Sequence, residues 1–242
     1  PPKKVGQTYR DADIPDPVAA DLSDKGRWIQ HRRDARVAPG EEPDAEEVRK
    51  ARRQYAAKIT WIDTQVGAIL DALDRTGQTE NTIVVFCSDH GEMAGDHELW
   101  IKHVAYDPAW RVPMVLAGPG LEPGVSDAMV ELSDVNPTLV ELAGLEAQPN
   151  LDAESFAAVA TGRADRHRDA VITVTGDTGF DSMAAIRTPT EKLVRNANDR
   201  CELYDMAGDP LETRNLDVER PERVGELTRR LRDRLNGRFW MR

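Results

Sequence analysis

Four shortages in this 242-residue chain each remove a class of protein. Cysteine occurs only twice, at Cys87 and Cys201, far apart and in no metal-finger spacing. A disulfide framework is therefore not expected, and the thiol usage leans toward a reducing, cytoplasmic setting. Long apolar runs are missing. No stretch approaches the ~18 consecutive apolar residues of a membrane-spanning helix. Positive charge is scarce: 32 Lys and Arg against 43 Asp and Glu leave a net charge of −11. That balance argues against a general nucleic-acid binder and against docking on an anionic membrane. It leaves room for a local basic pocket that takes a small anion. Histidine is the fourth shortage, with five residues in all.

What remains is an ordinary globular composition. Hydrophobic residues make up 40% and charged residues 31%, enough for one large domain or a domain with a smaller appendage. The chain opens "PPKKVGQTYR", with neither Met nor a signal peptide, so a targeting segment upstream is compatible with it. A homo-oligomer is compatible as well.

Residues 1–44 hold six of the fifteen prolines, in stretches such as "DIPDP" and "APGEEP". They read as an extended surface arm with one short helix around Asp21–Asp34. Residues 45–76 read as an amphipathic helix. Tyr55, Ile59, Ile62, Val66, Ile69 and Leu73 recur in steps of four and three and form a stripe facing a core. Asp44, Glu46 and Glu47 suit its N-terminus and Gly77 its C-terminal cap. "NTIVVFCSD" follows as a buried strand of a parallel or mixed sheet, with Cys87 inert inside it. "RVPMVLAGPG" reads as a second buried strand. Ser133 is a candidate cap for a helix through "DVNPTLVELAG", and Ala153–Ala160 for another short helix. From about residue 169 the texture changes to short, turn-separated strands, then an amphipathic terminal helix with Val224, Leu227, Leu231 and Leu235 on one face. The organisation is thus α/β: an arm over 1–44, an α/β region over 45–165, and a small antiparallel subdomain with a terminal helix over 166–242.

The scarce histidines are concentrated. "SDHGEMAGDHELWIKH", Ser88 to His103, holds three of the five. Asp89 and His90 stand at the end of the first strand, where open α/β sheets bind ligands. A hard carboxylate and a neutral imidazole there could share one divalent metal, or they could form a simple polar cap. Gly91 lets the chain turn out of the strand. Lys102, thirteen residues past Asp89, could return to the same pocket as a point charge on an anionic substrate, or lie solvated on the surface. His97 and His103 match no metal spacing and suit loop support. Glu92, Asp96 and Glu98 suit solvated or supporting positions. Arg111 suits an ion pair at the core edge.

These residues carry a resemblance. "SDHGEMAGDHELWIKHVAYDPAWRVPMVLAGPG" is similar to the sulfatase family of the alkaline phosphatase superfamily in order and spacing: strand, S-D-H-G, G-D-H, lysine, R-V-P and a second strand. The likeness extends more weakly over residues 45–236. His at position 90 resembles the choline sulfatase and phosphonate monoester hydrolase branches. The resemblance implies an alkaline-phosphatase-like mixed sheet between helices, represented here by its C-terminal part. It implies Asp89 and His90 as two ligands of one divalent cation, Ca²⁺ or Mn²⁺. It also implies Lys102 on the ester oxygens, and His97 as loop support.

The resemblance also exposes what this sequence does not contain. The family's nucleophile is a formylglycine made in a C/S-x-P-x-R motif, and its metal takes an acidic pair near the family's N-terminus. Neither motif occurs here, so both are expected upstream. "PTEKLV" stands where members often have an aromatic-Lys strand, and "LDAESFAAVATG" is a loose version of another family segment. The expected activity is metal-dependent hydrolysis of a small anionic sulfate ester by the parent protein, with this chain alone inactive. Two alternatives stand beside it: hydrolysis of a phosphodiester or phosphonate monoester on the same fold, and a non-catalytic fragment.

Overall fold

The computed structural model describes residues 1–35, 44–175, 182–197 and 199–236. The "APGEEP" turn lies outside these residues. Two helices punctuate the arm: α1 (Lys3–Thr8) and α2 (Arg27–Asp34). The second falls inside the stretch expected to be helical; the first was not foreseen. The arm is more than surface chain. Ile29 of α2 is buried in the main core beside Met93, Leu99 and Val104. Lys25 is buried as well, paired with Asp24 at 3.0 Å and seated 4.8 Å over the Tyr204 ring.

Asp44 starts α3 (Ala45–Arg75) by accepting hydrogen bonds from the backbone N–H groups of Glu46 and Glu47. Gly77, at φ +68°, ends it as a left-handed cap. The apolar stripe is present, but only Val48 and Ala57 are buried. The first half of α3 packs on α1 and the arm, with Tyr9 Oη 2.6 Å from Thr60 Oγ1. Beside that contact and beyond it, Ile59, Ile62 and Ile69 are 53%, 49% and 60% exposed. The stripe expected to face a core thus faces solvent over most of its length.

The same correction applies to β1 (Val84–Cys87) and β2 (Met114–Ala117). They pair antiparallel, Val84 opposite Ala117 and Cys87 opposite Met114, as a two-stranded sheet. Their composition suits burial on both faces, yet Phe86 and Val115 are exposed, and so is the Cys87 thiol expected to be buried. Two strands of four residues cannot cover both of their own faces. The connection between them carries α4 (Asp107–Trp110).

After β2 comes α5 (Val135–Leu142), with Pro137 in its first turn. Ser133 does not cap it. A capping box of Glu131 and Asp134 closes the 3₁₀ turn Leu132–Asp134 just before it. The short α6 (Ala157–Ala160) follows. β3 (Val171–Thr175), β4 (Met183–Arg187), β5 (Glu191–Asn196) and β6 (Glu202–Asp205) then form an antiparallel meander in chain order. α7 (Pro221–Arg234) lays Leu227 and Leu231 on one face of it, against Ala184, Ile186 and Leu193. The other face, through Met183, Ala185, Val194 and Tyr204, meets Val104, Ala105 and Tyr106. The small sheet therefore backs the segment that follows Lys102.

Asp134 anchors the lower edge of this region. It is fully buried, and Arg168 donates to both of its carboxylate oxygens, at 2.7 and 2.5 Å. Burial pushes the carboxyl up, but Arg168 and the backbone N–H groups of Glu154 and Glu131 outweigh it and bring it to about 2. A carboxyl lowered on folding stabilises above its ordinary value of 3.8 and loses that contribution as pH falls toward 2. Denaturant unfolding between pH 5 and pH 2 should therefore show a loss from this group on the order of 2 kcal/mol. Asp134→Asn should flatten that part of the profile; an unchanged slope would remove the group from the acid limb.

Candidate active site

The chain leaves β1 through Ser88, Asp89 and His90 and turns at Gly91. No larger residue fits there: a Cβ on Gly91 would lie 2.0 Å from the Pro108 carbonyl oxygen. That closeness lets Gly91 N–H donate to Ala109 O at 2.8 Å and Glu92 N–H to Pro108 O at 2.9 Å. Two backbone bonds thus fasten the strand exit to α4.

His90 is oriented by its neighbours. Nδ1 lies 2.8 Å from the Gly91 carbonyl, which can only accept, so Nδ1 carries the proton and Nε2 presents a lone pair. Lys102 Nζ is 2.5 Å from that lone pair, and Asp89 Oδ2 is 3.5 Å from it. Asp89, His90 and Lys102 are therefore together, as their spacing suggested. A carbonyl holding one ring nitrogen so that the other faces outward is the usual setting of a metal-ligating histidine. An outward Nε2 and a carboxylate oxygen fit two positions around a divalent ion. An ion there and Lys102 would compete for the same lone pair. Among the described residues no third His, Cys, Asp or Glu joins this pair as a metal-binding group.

The loop from Ala94 to His103 is bent unusually hard. Ala94, His97, Glu98, Ile101 and His103 all have φ between +48° and +80°. For non-glycine residues, and for β-branched Ile101 above all, this costs about 1–3 kcal/mol each, and the surroundings must hold it. Glu92 is one such holder, accepting from the N–H groups of Ala94 at 3.1 Å and Ile101 at 2.5 Å. Arg52 is another, donating to the Ala94 carbonyl and to Asp96. Glu92 and Asp96 thus hold the loop, and Glu98 pairs with Arg33 at 2.6 Å.

His97 lies apart from the cluster. It is buried, stacks on Tyr106 at 4.5 Å between ring centroids, and places Nε2 2.9 Å from the Leu211 carbonyl. Burial, then the charge of Lys25, hold it below the ordinary imidazole range, so it is neutral at pH 7. His103 is exposed and lines a cavity with Lys102. Arg111 lines the same cavity; among the described residues it makes no ion pair, contrary to the expected core-edge role.

That cavity has a volume of about 1000 Å³. Asp89, His90, Lys102 and Trp110 line it, together with Thr173 and Arg187 of the small sheet. Behind Trp110 lies a group of charges that sequence reasoning missed. Lys192 of β5 is fully buried, with Nζ 2.9 Å from the Ala105 carbonyl and 2.5 Å from Asp107 Oδ1. Glu212 Oε1 is also 2.5 Å from Nζ, off the line of a good hydrogen bond, while Oε2 accepts from Asp107 N–H. Arg187 closes the group on Asp107 Oδ2 at 2.8 Å. Burial raises Glu212 to about 7 against the pull of Lys192. Its sequence signal is "PTEKLV", which stands where sulfatases often have an aromatic-Lys strand. It does supply the lysine.

Residues 20–145 match the sulfatase family, and residues 95–238 match the family described as N-sulphoglucosamine sulphohydrolase, C-terminal. The chain belongs to the sulfatase family. It is 37% identical to choline-sulfatase of Rhizobium meliloti (strain 1021) over 174 residues, covering 71% of this chain and 34% of that one. It is 33% identical to an arylsulfatase of Clostridium perfringens (strain 13 / Type A), covering 98% of this chain and 51% of the relative. The phosphonate monoester hydrolase of Silicibacter pomeroyi superposes on 98% of this sulfatase chain and on 52% of its own length. Its TM-score is 0.82 at 26% identity. The fold is thus alkaline-phosphatase-like, and the chain spans between about a third and a half of the curated relatives it matches.

Proposed function

We propose that this sulfatase chain supplies one wall of the active site of a metal-dependent sulfuric ester hydrolase. The nucleophile, a formylglycine, would come from outside residues 1–242. The observation that carries this reading is the meeting of Asp89 Oδ2, His90 Nε2 and Lys102 Nζ at the mouth of one cavity. Asp89 and His90 would hold a divalent cation, Ca²⁺ or Mn²⁺, whose charge stabilises the ester oxygens. Lys102 would place a compact positive charge where the leaving oxygen gains negative charge. The Gly91 carbonyl keeps the His90 proton on Nδ1, so Nε2 stays a donor of electrons rather than of a proton. Trp110 lines the same cavity, with Lys192 over its ring at 5.0 Å.

A second reading keeps the site and changes the ester. The superposition on a phosphonate monoester hydrolase favours it, since the same charges suit a tetrahedral phosphorus anion. Comparing turnover of an aryl sulfate and an aryl phosphonate monoester by the polypeptide that carries this chain separates the two. A higher kcat/KM on the sulfate is expected, together with loss of activity on chelation. Residues 1–242 alone should turn over neither. Turnover by them would sink the claim that the nucleophile lies elsewhere, and silence of the longer polypeptide on both esters would favour a non-catalytic fragment.

A further inference from the structure

The loop that presents Lys102 is strained on both sides of that residue: Ile101 has φ +69° and His103 φ +80°. Glu92 holds the N–H of Ile101, and the Met93 N–H donates to the Ile101 carbonyl at 2.9 Å. The Met93 bond fixes the peptide plane before Lys102, but neither bond reaches the plane after it, which also sets the direction of the Lys102 side chain, or the plane beyond. Those planes are gripped from a distant part of the sequence. Arg32 Nη2 donates to the Lys102 carbonyl at 3.1 Å, and Trp28 Nε1 donates to the His103 carbonyl at 3.4 Å. Both donors lie on α2, four residues apart and so on the same face. The Arg32 guanidinium also stacks over the Trp28 ring at 5.5 Å, which ties the two donors to each other.

The helix that carries them is itself fixed. Ile29 is buried in the core with Leu99 and Val104, on either side of the gripped peptides. The Trp28 N–H donates to Asp199 Oδ2 at 3.2 Å, and Arg33 Nε meets Glu98 Oε2 at 2.6 Å one turn back along the loop. α2 therefore has separate anchors in the core, on the small sheet's side and on the loop. From that fixed helix, Arg32 and Trp28 reach the carbonyls of the residue that meets His90 and of its successor.

We propose that Trp28 and Arg32 are positioning residues for Lys102. By holding two consecutive carbonyls against backbone strain, they keep the Lys102 side chain beside the His90 ring and on the cavity. Released, the 102–103 peptide rotates toward ordinary negative φ, and the Lys102 side chain swings away from the cluster. The arm preceding α3 then belongs to the catalytic apparatus through its hydrogen bonds, though it touches no substrate. The catalytic part of this inference rests on the reading of Lys102 given under the proposed function.

The test compares Arg32→Ala, Arg32→Lys and Trp28→Phe in two measurements. The first uses residues 1–242 and records the nuclear Overhauser contact between the Lys102 side chain and the His90 ring. The contact is expected to vanish in Arg32→Ala, weaken in Trp28→Phe, and return in Arg32→Lys, whose ammonium still donates to the carbonyl. The second measures aryl sulfate hydrolysis by the polypeptide that carries this chain. A misplaced charge should lower kcat by about tenfold to a hundredfold in Arg32→Ala, with KM changed far less, and Arg32→Lys should recover most of it. A purely structural helix would instead lower the unfolding temperature and leave the kcat of the folded fraction unchanged. Should Arg32→Ala fail to fold, Trp28→Phe, which keeps an aromatic ring and removes the Nε1–H donor, decides the matter. A retained contact with kcat within twofold of wild type, in Arg32→Ala or failing that in Trp28→Phe, overturns the proposal. If the wild-type polypeptide hydrolyses no sulfate ester, the functional reading falls, and the nuclear Overhauser contact still decides whether α2 positions Lys102.

Discussion

Lys102→Ala should lower kcat/KM for an aryl sulfate by about a hundredfold to a thousandfold, the usual effect of removing one charge-stabilising donor from a site. The loss is expected mainly in kcat, because the lysine is worth most where negative charge develops on the departing oxygen. The fold should hardly notice: the side chain is only half-buried, and its hydrogen-bond contact is to His90. Metal affinity provides the control. Lys102 Nζ occupies the His90 lone pair, so its removal should leave divalent-ion binding equal or tighter. Titrating Mn²⁺ into wild type and variant checks this. An activity loss accompanied by weaker metal binding would mean that Lys102 supports the ligands and does not act on the ester. Lys102→Arg should not restore the rate, because a planar fork cannot replace a compact ammonium 2.5 Å from an imidazole nitrogen.

The motif around Lys102 was readable because its parts are close in sequence. The β-branched and aromatic run up to Cys87 announces a strand, Gly91 announces a turn, and Asp89, His90 and Lys102 do meet as their spacing suggested. The small sheet was readable for a related reason: a meander in chain order pairs neighbours, and turns between short apolar runs mark it out. Burial was not readable. Periodicity in α3 and composition in β1 state which faces are apolar, but not whether this chain carries something to cover them. Ile62, Ile69, Phe86 and Cys87 accordingly sit at a surface they were not expected to reach.

Arg111 misled for a similar reason, since a charge beside an apolar run says nothing of what stands opposite. The partners that shape the site most come from far away along the chain: Arg32 from 70 residues before Lys102, and Lys192 from 85 residues after Asp107. No local pattern encodes such pairings. The loop's five left-handed residues are likewise invisible in their side chains, because nothing in the types Ala, His, Glu, Ile and His calls for that conformation.

The distant pairing with the largest consequence for stability is that of Lys192. Lys192→Met should destabilise the fold by about 3–5 kcal/mol at pH 8, the cost of leaving buried carboxylates without their cation. Methionine fills most of the lysine stem's volume, so the cavity left behind is small and the effect is mainly electrostatic. Asp107 keeps Arg187, but fully buried Glu212 loses the cation 2.5 Å away.

The pH dependence follows from Glu212. In the wild type its carboxyl is raised from 4.5 to about 7 on folding, so the folded state binds the extra proton and stability declines as pH rises through that interval. Without Lys192 the carboxyl rises further and the decline continues above pH 7. The difference between wild type and Lys192→Met should therefore be small near pH 6 and grow toward pH 9. Adding Glu212→Gln to Lys192→Met should recover more than half of the loss, since a neutral amide needs no cation and still offers an oxygen to the Asp107 N–H. Urea unfolding of wild type, Lys192→Met, Glu212→Gln and the double variant at pH 6 and pH 9 completes the cycle. A Lys192→Met cost below about 1 kcal/mol at pH 9, or one independent of pH, would contradict the assignment of Lys192 as the cation that keeps Glu212 ionised.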